Sequence, residues 1–254
     1  MKSYPLKILP SGHVFLDTTD DCQVVARVLD EAGYKEDFCL ALDFDPLFIA
    51  QLMASGFLVM SSLFGNPGET NEPGSLQNRK FILLPKHHLV RSCLFFPELH
   101  IKKSIKPLLP RYDLQFDKDF DDIVNKCIDI HGDDWLTGPY IAAIKEIRKH
   151  SDMPVRPVSF ALYREGKLKA GEFGIISGRV YTSYSGYYEE VNAGTVQMIL
   201  TAKWLEKSSY TFWDLGMPLD YKLTLGAREI SRRDFLELFW KAQEFTYNPV
   251  LKLP

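Results

Sequence analysis

The stretch GEFGIISGRVYTSYSGYY, residues 171–188, and the sequence after it decide the fold of this chain. Val, Tyr, Thr and Phe alternate here between glycines, which is typical of paired β-strands. Apolar residues then recur at helical spacing over positions 196–204, after Asn192, a candidate N-cap. Residues 211–215 predict a short buried strand that stops at Gly216. Strand, strand, helix, strand predicts an α/β arrangement with a cleft where the strands end.

A series of residues in and around this stretch keeps the order and spacing of a known family. In the C-terminal half the series is Gly171, Gly174, Gly178, Asn192-Ala193, Asp214, Leu225-Gly226-Ala227, Glu229-Ile230 and Arg232-Arg233-Asp234. Upstream it includes Leu99-His100-Ile101, Lys103-Ser104 and Trp135-Leu136-Thr137. Together these residues resemble the leucyl/phenylalanyl-tRNA–protein transferases. Enzymes of this family move an amino acid from a charged tRNA onto the N-terminal Arg or Lys of a protein, which marks it for N-end rule degradation.

The resemblance implies a two-domain α/β protein of the cytoplasm. We expect a small N-terminal α/β domain over residues 1–98. Residues 99–254 are expected to form a GNAT-like domain, similar to acyl-CoA N-acyltransferases. The expected partners are an aminoacyl-tRNA and a protein or peptide with a basic N-terminal residue. Aminoacyl-tRNA serves as co-substrate, and no cofactor, metal or membrane is expected.

The chemistry of aminoacyl transfer sets modest demands on the site. The reaction runs downhill, so the enzyme mainly positions an amine, accepts its proton and stabilises an oxyanion. In the resembled family these duties are associated with an acid at the position of Tyr184 and a D-x-Q motif at the position of 214–216. Here Asp214 is present, whereas Tyr184 and Gly216 replace the Glu and the Gln. We therefore expect Asp214 and Tyr184 to be catalytic, with Asp214 as a structural anchor the alternative.

The resemblance also identifies an amino-acid pocket that differs from the family's apolar one. With Asn192 and Gly216 nearby, the pocket positions hold Glu172, Gly186, Met198, Thr201, Leu205 and Trp213. A lone buried carboxylate is costly unless a cation or hydrogen bonds meet it. Either Glu172 points to solvent, or the pocket takes something polar or cationic.

Charge is unevenly distributed, although its net value is only −3. Residues 17–45 contain nine acidic and two basic residues, a local charge of −7, whereas residues 86–111 contain six basic and one acidic, a local charge of +5. Such a basic segment either holds a phosphate backbone by counterion release or is a solvated helix face. Under the resemblance, a basic helix after Pro97 is expected to contact the tRNA acceptor stem. Its contact residues are Lys102, Lys103, Lys106 and Arg111.

The middle of the chain, residues 117–150, predicts two helices with Trp135 in the turn between them and Thr137 as a candidate cap. Trp135 either closes the edge of a core or offers a flat platform for the terminal adenosine or the aminoacyl group. The resemblance favours the platform. Acidic residues at 117–122 indicate a solvated helix N-terminus rather than a metal site. Residues 65–75, rich in Gly, Pro and Asn, predict a surface loop.

Composition excludes several classes of protein. Hydrophobic residues at 46% and aromatics at 13% exclude general disorder. No apolar run reaches the length of a membrane span. The four scattered cysteines include no C-x-x-C pair, which predicts reduced thiols and no zinc site. The acidic turn at 189–194 lacks the pyrophosphate-binding pattern of acetyl-CoA enzymes, so CoA is not expected.

Two functions remain open at this point. The first is an aminoacyl-tRNA-dependent aminoacyltransferase, which Asp214 and the intact 225–234 segment favour. The second is a repurposed or non-catalytic relative that binds tRNA or protein N-termini, or that transfers a different aminoacyl group. Tyr184 and Gly216 favour this second reading. The donor amino acid, the acceptor and the oligomeric state stay undetermined by sequence.

Overall fold

In a computed structural model of the protein, residues 4–64 and 80–243 are described, and they form a mixed α/β fold with two sheets. These residues divide into two compact units, one within 1–87 and 132–153 and the other within 88–131 and 154–254. The surface loop predicted at 65–75 lies outside the described residues. No helix in the described ranges is long and apolar enough to cross a membrane.

The first unit is a five-stranded sheet, in the order β1-β2-β3-β5-β4, with three helices. Its elements are β1 (Lys7–Ile8), β2 (Val14–Leu16), α1 (Cys22–Glu31), β3 (Leu40–Ala41), α2 (Pro46–Ala54), β4 (Leu58–Phe64), β5 (Lys80–Lys86) and α4 (Gly138–Lys149). Helix α2 begins where Asp45 accepts a hydrogen bond from the Phe48 amide at 2.9 Å, with Pro46 in the first turn.

Trp135 lies in this first unit, just before α4. Its carbonyl accepts hydrogen bonds from the backbone amide and the hydroxyl of Ser61 on β4, both at 3.0 Å. Thr137 occupies the N-cap position of α4 but does not cap it, because its hydroxyl lies 2.9 Å from the Ser61 hydroxyl instead. The two predicted helices are thus confirmed, and the turn between them is tied to a strand.

The second unit is a seven-stranded sheet in the order β12-β6-β11-β10-β9-β8-β7. Its elements are β6 (Val90–Leu94), β7 (Asp113–Phe116), α3 (Phe120–His131), β8 (Arg156–Arg164), β9 (Lys167–Ser177), β10 (Val180–Tyr188), α5 (Ala193–Lys207), β11 (Phe212–Asp214), α6 (Asp220–Leu225), β12 (Arg228–Ser231) and α7 (Arg232–Gln243). Strands β9 and β10 pair antiparallel and β11 pairs parallel to β10, so the predicted strand, strand, helix, strand order is confirmed.

Helix α5 is the crossover between β10 and β11, and it packs on the sheet through a partly buried tryptophan, Trp204. Trp204 stacks on Phe116 with ring centroids 4.2 Å apart, and it meets Phe160 edge to face. Asn192 holds the N-cap position as predicted. Its backbone is left-handed with φ at 70° and its side chain makes no capping bond, so it acts through its backbone.

Two features of the structure differ from the sequence predictions. The basic segment after Pro97 is a 3₁₀ segment at Lys106–Arg111, not an α-helix, because Pro107 and Pro110 lack the amide hydrogens that a helix needs. The division of the chain also differs from the predicted 1–98 and 99–254. Strand β6 pairs with β11 and β12 in the second unit, whereas α4 packs on α2 in the first.

Candidate functional site

A cleft of about 690 Å³ opens at the carboxyl end of β10, where the chain leaves the sheet to enter α5. Its walls come from β10, the first turns of α5, and α6 with the turn that precedes it. The lining residues, all in the second unit, are His131, Glu172, residues 183–188, Val191, Asn192, Gly194, Thr195, Gln197, Met198, Leu215, Tyr221 and Lys222. The cleft predicted where the strands end is therefore present.

A β-bulge shapes the wall that β10 contributes. Gly174 pairs with Ser183 and Phe173 pairs with Ser185, so Tyr184 is the extra residue between them. A bulge interrupts the alternation of faces and redirects side chains. All six residues from 183 to 188 line the cleft. The ring of Tyr184 also packs beside that of Phe173, with centroids 6.2 Å apart.

Glu172 lies at the floor of the cleft, on β9 opposite Gly186. It is only 5% exposed. A Cβ atom at Gly186 would lie 3.0 Å from the Glu172 Cβ, so the glycine keeps space open beside this side chain. The alternative in which Glu172 points to bulk solvent is therefore wrong, and the floor of the cleft is acidic.

A short chain of hydrogen bonds orients the Glu172 carboxyl. Trp213 donates its indole hydrogen to the Ser183 hydroxyl oxygen at 2.7 Å. Ser183 in turn donates to Glu172 Oε2 at 3.3 Å. Within residues 4–64 and 80–243, neither Glu172 Oε1 nor the Tyr181 hydroxyl makes a hydrogen bond of good geometry, although the Tyr181 and Gln197 side chains lie near the carboxyl. The carboxyl thus has one occupied oxygen and one vacant acceptor.

Burial raises the pKa of the Glu172 carboxyl to about 7, against the opposing effects of the Gln197, Ser183 and Tyr181 side chains and the Lys222 charge. Desolvation penalises the ionised form, and these polar neighbours do not compensate for it. The carboxyl therefore changes charge near neutral pH. A pKa in this range is what a general base working at neutral pH needs.

This raised pKa predicts a stability gain for Glu172→Gln that depends on pH. The native carboxyl binds its proton up to about pH 7, whereas an unfolded one releases it near 4.5. The stability that this proton contributes is present below the lower value and is lost as pH rises to the higher one. We compare the free energy of unfolding of Glu172→Gln with that of wild type at two pH values. On going from about pH 5 to about pH 8, this difference should shift in favour of the variant by about 2–3 kcal/mol.

Urea unfolding at both pH values measures this difference. Glu189→Gln is the matched control, because it removes an exposed carboxylate just after β10, the strand that pairs with β9. Its Oε1 lies 2.6 Å from the exposed Lys126 ammonium and water screens that pair, so its variant should show at most a small pH-dependent change. An identical stability difference for Glu172→Gln at both pH values would contradict a raised pKa.

Lys222 of α6 supplies a buried cation to the same cleft. Its ammonium donates to the carbonyl oxygens of Leu215 at 2.5 Å and Met217 at 2.7 Å. Burial lowers the pKa of Lys222 to about 8, against the opposing effect of the Asp214 carboxylate. The cleft therefore contains an acid and a base whose pKa values both lie near neutrality, which is typical of acid–base sites.

Asp214, the predicted catalytic acid, is fully buried and does not line the cleft. Its Oδ1 accepts from the Gly216 amide at 2.9 Å, and its Oδ2 lies 3.1 Å from the Thr182 hydroxyl and 3.4 Å from the Arg91 guanidinium. The Gly216 carbonyl is held by the Ser92 amide at 2.8 Å. Gly216 is left-handed with φ at 76°, a conformation that side chains other than glycine adopt with strain. These contacts favour the anchor alternative for Asp214.

The remaining predicted site residues fall into three groups. Tyr184, Gly186, Asn192 and Met198 join Glu172 in the cleft lining. Thr201, Leu205 and Trp213 are buried in the second unit behind this lining, and Gly216 lies in the turn beside Leu215. Trp135 belongs to the first unit, whereas the exposed Lys102, Lys103, Lys106 and Arg111 belong to the second. The structure thus brings only part of the predicted pocket together.

Several cleft residues were missed by the sequence reasoning. Those with polar or titratable side chains that bear on the chemistry include His131, Ser183, Gln197, Tyr221 and Lys222. One feature of the sequence could have drawn attention to Lys222, which is a lysine in a short segment between two glycines, Gly216 and Gly226. In the structure this segment contains the six-residue helix α6, and both glycines are left-handed. Ser183 carried none, because only the bulge directs it to the cleft. Gln197 sits on α5 and donates to Thr201 at 2.9 Å.

Neither a metal site nor a disulfide is found in the described part of the chain. No group of three His, Cys, Asp or Glu side chains could hold a metal ion there. The four cysteines are all buried, and none of them is in a disulfide.

Comparisons with known proteins identify the family of this chain. The sequence profile described as Leucyl/phenylalanyl-tRNA protein transferase matches residues 93–239. The leucyl/phenylalanyl-tRNA–protein transferase of Pseudomonas putida (strain W619) is 30% identical over 152 residues, which is 58% of this chain and 66% of that enzyme. The corresponding enzyme of Campylobacter jejuni (strain RM1221) is 25% identical over 195 residues, or 76% of this chain and 83% of that enzyme. The first match thus spans just under two thirds of its relative's length.

Among solved structures, L-PGS from Bacillus licheniformis is similar at 10% identity and a TM-score of 0.39, over 94% of this chain and 89% of that one. A likeness this low carries no conclusion about function. The profile match covers more than half of the chain and includes every residue that lines the cleft. The chain therefore belongs to the leucyl/phenylalanyl-tRNA–protein transferase family.

Proposed function

We propose that this protein is an aminoacyltransferase that uses aminoacyl-tRNA to add an amino acid to the N-terminal amine of a protein or peptide. The observation that carries the proposal is the position of the cleft. It lies wholly within the stretch that matches the family, and it contains both a buried carboxyl, Glu172, and a buried ammonium, Lys222. An acyl transfer between an ester and an amine needs a proton acceptor and a positive or hydrogen-bonding group for the oxyanion.

Lys222 suits the second duty. Two backbone carbonyls hold its ammonium at the cleft wall, so its position is set before substrate arrives. A preorganised donor of this kind stabilises charge that develops during the reaction without reorganising. Asp214 supports Lys222 indirectly, because it accepts from the Gly216 amide between the two residues whose carbonyls hold the ammonium.

The basic segment at 102–111 supplies a surface for the tRNA. Lys102, Lys103, Lys106 and Arg111 are all exposed, and the 3₁₀ segment that carries the last two is short and stiffened by prolines. Exposed lysines and arginines bind phosphates through release of counterions. Contacts of this type would position the acceptor stem without reading its sequence.

Replacing Lys102, Lys103 and Lys106 together with Glu should weaken tRNA binding and flatten its salt dependence. Each lost phosphate contact lowers the slope of log affinity against log salt by about 0.7–0.9. The measurement is tRNA affinity at several salt concentrations. A control reverses three other exposed lysines of the same unit, Lys167, Lys203 and Lys207, with the same change in net charge. Equal losses of tRNA affinity in the two variants would mean that only the net charge of the protein matters. The 102–111 segment would then not be part of the tRNA-binding site.

The finer features expected from the resemblance extend this proposal. The antiparallel run β8-β9-β10, the crossover α5 and the parallel β11 support a GNAT-like arrangement of the second unit. Cytoplasmic location, a basic N-terminal acceptor residue and a reaction without cofactor follow from the family's activity on charged tRNA and protein.

A second function, binding without catalysis, is favoured by one observation. Asp214 is committed to Arg91, Thr182 and the Gly216 amide, and the position of the family acid holds Tyr184. A relative that lacks both acids in the cleft would still bind tRNA or protein N-termini.

Incubation with a mixture of all charged tRNAs and an Arg-initiated peptide separates the two functions. The mixture carries labelled amino acids, and the peptide is analysed by mass. Aminoacyl transfer predicts a labelled peptide with one added residue, which also identifies the donor. A parallel peptide with an acetylated N-terminus is the control, because it has no free amine. Tight tRNA binding with no labelled product at any pH would favour the binding function.

A further inference from the structure

The vacant acceptor at the cleft floor is the most informative feature that the family match does not explain. Glu172 is 95% buried, yet its Oε1 has no hydrogen-bond partner in the described ranges. An unsatisfied buried carboxylate oxygen is costly unless a ligand supplies the missing donor. Gly186 opposite leaves space beside this side chain. The geometry is therefore that of a site completed by a hydrogen-bond donor on a substrate.

We propose that Glu172, and not Asp214, accepts the proton of the attacking amine. The proposal rests on the aminoacyl transfer proposed above, in which the substrate that brings such a donor is the acceptor's N-terminal amine. Asp214 is unsuited to this role, because both of its oxygens are engaged and it does not line the cleft. In the described part of the chain, Glu172 lines the cleft and its Oε1 makes no hydrogen bond of good geometry.

The step balances with the groups that are present. The neutral amine nitrogen attacks the carbonyl carbon of the aminoacyl ester, and a carbon–nitrogen bond forms. Glu172 Oε1 accepts one proton from that nitrogen. The bond between the carbonyl carbon and the ribose oxygen then breaks, and the proton passes from Glu172 to the ribose oxygen. The carboxylate is regenerated, so each turnover uses no other acid or base.

The surroundings of Glu172 fit a base that must stay oriented. Trp213 donates to Ser183, and Ser183 donates to Glu172 Oε2, so that oxygen is held in place. The other oxygen, Oε1, is left to accept a proton from the substrate. The titratable or charged groups around it are Tyr181 on β10, Cys127 and His131 on α3, and Tyr221 and Lys222 on α6. Burial brings the pKa of Glu172 to about 7, so the carboxylate is available at neutral pH.

The experiment compares wild type, Glu172→Gln and Glu172→Asp in single-turnover transfer over a range of pH. The donor is the charged tRNA that the wild type uses in the mixed pool. An ordinary α-amine titrates at about 7.7–8.0 and would obscure the base. The acceptor is therefore a peptide whose terminal amine is replaced by a hydrazide, which stays neutral throughout. Glu189→Gln is the control, since this exposed residue is not part of the cleft lining.

With this acceptor, the wild-type rate should rise through about pH 7 and fall again above about pH 8, where the Lys222 ammonium that serves the oxyanion loses its proton. Glu172→Gln should lower the maximum rate by about 100-fold or more and abolish the rise, with little change in KM for the peptide. Glu172→Asp should keep the rise at a reduced rate, because it retains a carboxylate. Glu189→Gln should match wild type.

The two proposals fail in different ways. A wild-type protein that transfers nothing from any charged tRNA overturns the proposed function, and Glu172 as its base with it. An active wild type whose rise through about pH 7 and maximum rate both survive in Glu172→Gln overturns the base alone. A Glu172→Gln variant that merely changes its preferred donor, at an unchanged rate, shows that Glu172 selects the donor and is not the base.

Discussion

Asp214→Asn is expected to lower the free energy of unfolding by about 3–5 kcal/mol. Asp214 is completely buried, and its charge partner Arg91 is only 2% exposed. Asparagine keeps the shape and can still accept from the Gly216 amide, but it removes the charge that faces the guanidinium. The buried Arg91 guanidinium then loses its contact with the Asp214 carboxylate, and this lost charge pairing accounts for most of the decrease.

Urea unfolding at neutral pH measures the effect, and specific activity is determined on the folded fraction. The chain offers a matched control in the pair of Glu98 and Arg228, which are 2.7 Å apart with largely exposed side chains. Breaking that pair with Glu98→Gln should cost at most about 1 kcal/mol, since water screens it. Adding Arg91→Leu to Asp214→Asn should recover part of the loss, because it removes the buried cation that the Asp214 carboxylate faced.

The opposite outcome, retained stability with lost turnover, would support a catalytic role for Asp214. If Asp214→Asn keeps its stability but loses turnover, then Asp214 is a catalytic acid, and the role of Glu172 as the base is superseded. The structural account requires that stability falls and that the folded fraction stays active.

Gly226→Ala is expected to destabilise the protein by about 3 kcal/mol or more. Gly226 ends α6 with φ at 103°, a conformation that strains any other residue. A Cβ atom here would also overlap the Glu98 carbonyl oxygen and lie 3.2 Å from the His100 amide nitrogen. The backbone on both sides would have to separate. Since α6 carries Tyr221 and Lys222, cleft activity should fall together with stability.

Gly166→Ala provides the control for this variant. Gly166 also has a left-handed backbone, with φ at 73°, but no atom lies within 4 Å of its Cβ position. It should therefore show only the conformational cost, about 1–2 kcal/mol. The difference between the two variants, measured by thermal and urea unfolding, isolates the overlap with Glu98. Equal losses would mean that the close approach of the two segments is not maintained in solution.

The close approach of Gly226 to residues 98–100 brings together two segments of the family series, 99–101 and 225–227. The His100 amide donates to the Leu225 carbonyl at 2.8 Å, so the 99–101 segment is fastened to the end of α6. The sequence places these segments more than a hundred residues apart. Their shared role in supporting the cleft wall becomes visible only in the tertiary structure.

Much of the second unit was predictable because its signals are local. The alternation at 171–188, the helical spacing at 196–204 and the apolar run ending at Asp214 predict β9, β10, α5 and β11 in their observed order. Local composition also located the cleft at the strand ends. The 3₁₀ segment at Lys106–Arg111 was predicted wrongly as a helix, since its charge pattern was weighed above its prolines.

The roles of the acids were not predictable, because they depend on distant neighbours. Asp214 looks catalytic as a charge at the end of an apolar strand. The partner that makes it an anchor is Arg91, on β6, and no sequence pattern joins the two. The sequence left open whether Glu172 points to solvent or into the pocket. Gly186, opposite it on the paired strand, leaves the space beside its side chain open in the cleft.

By itself, the sequence determined the order of strands and helices, the family and the location of a cleft, because these depend on residues close along the chain or on a series in fixed order. The tertiary structure alone decided which acid faces that cleft. A bulge at Tyr184 turns Ser183 toward Glu172, and long-range pairing buries Asp214 against Arg91. Burial, which raises the pKa of Glu172 to about 7, depends on packing from several elements at once. No local pattern encodes that environment.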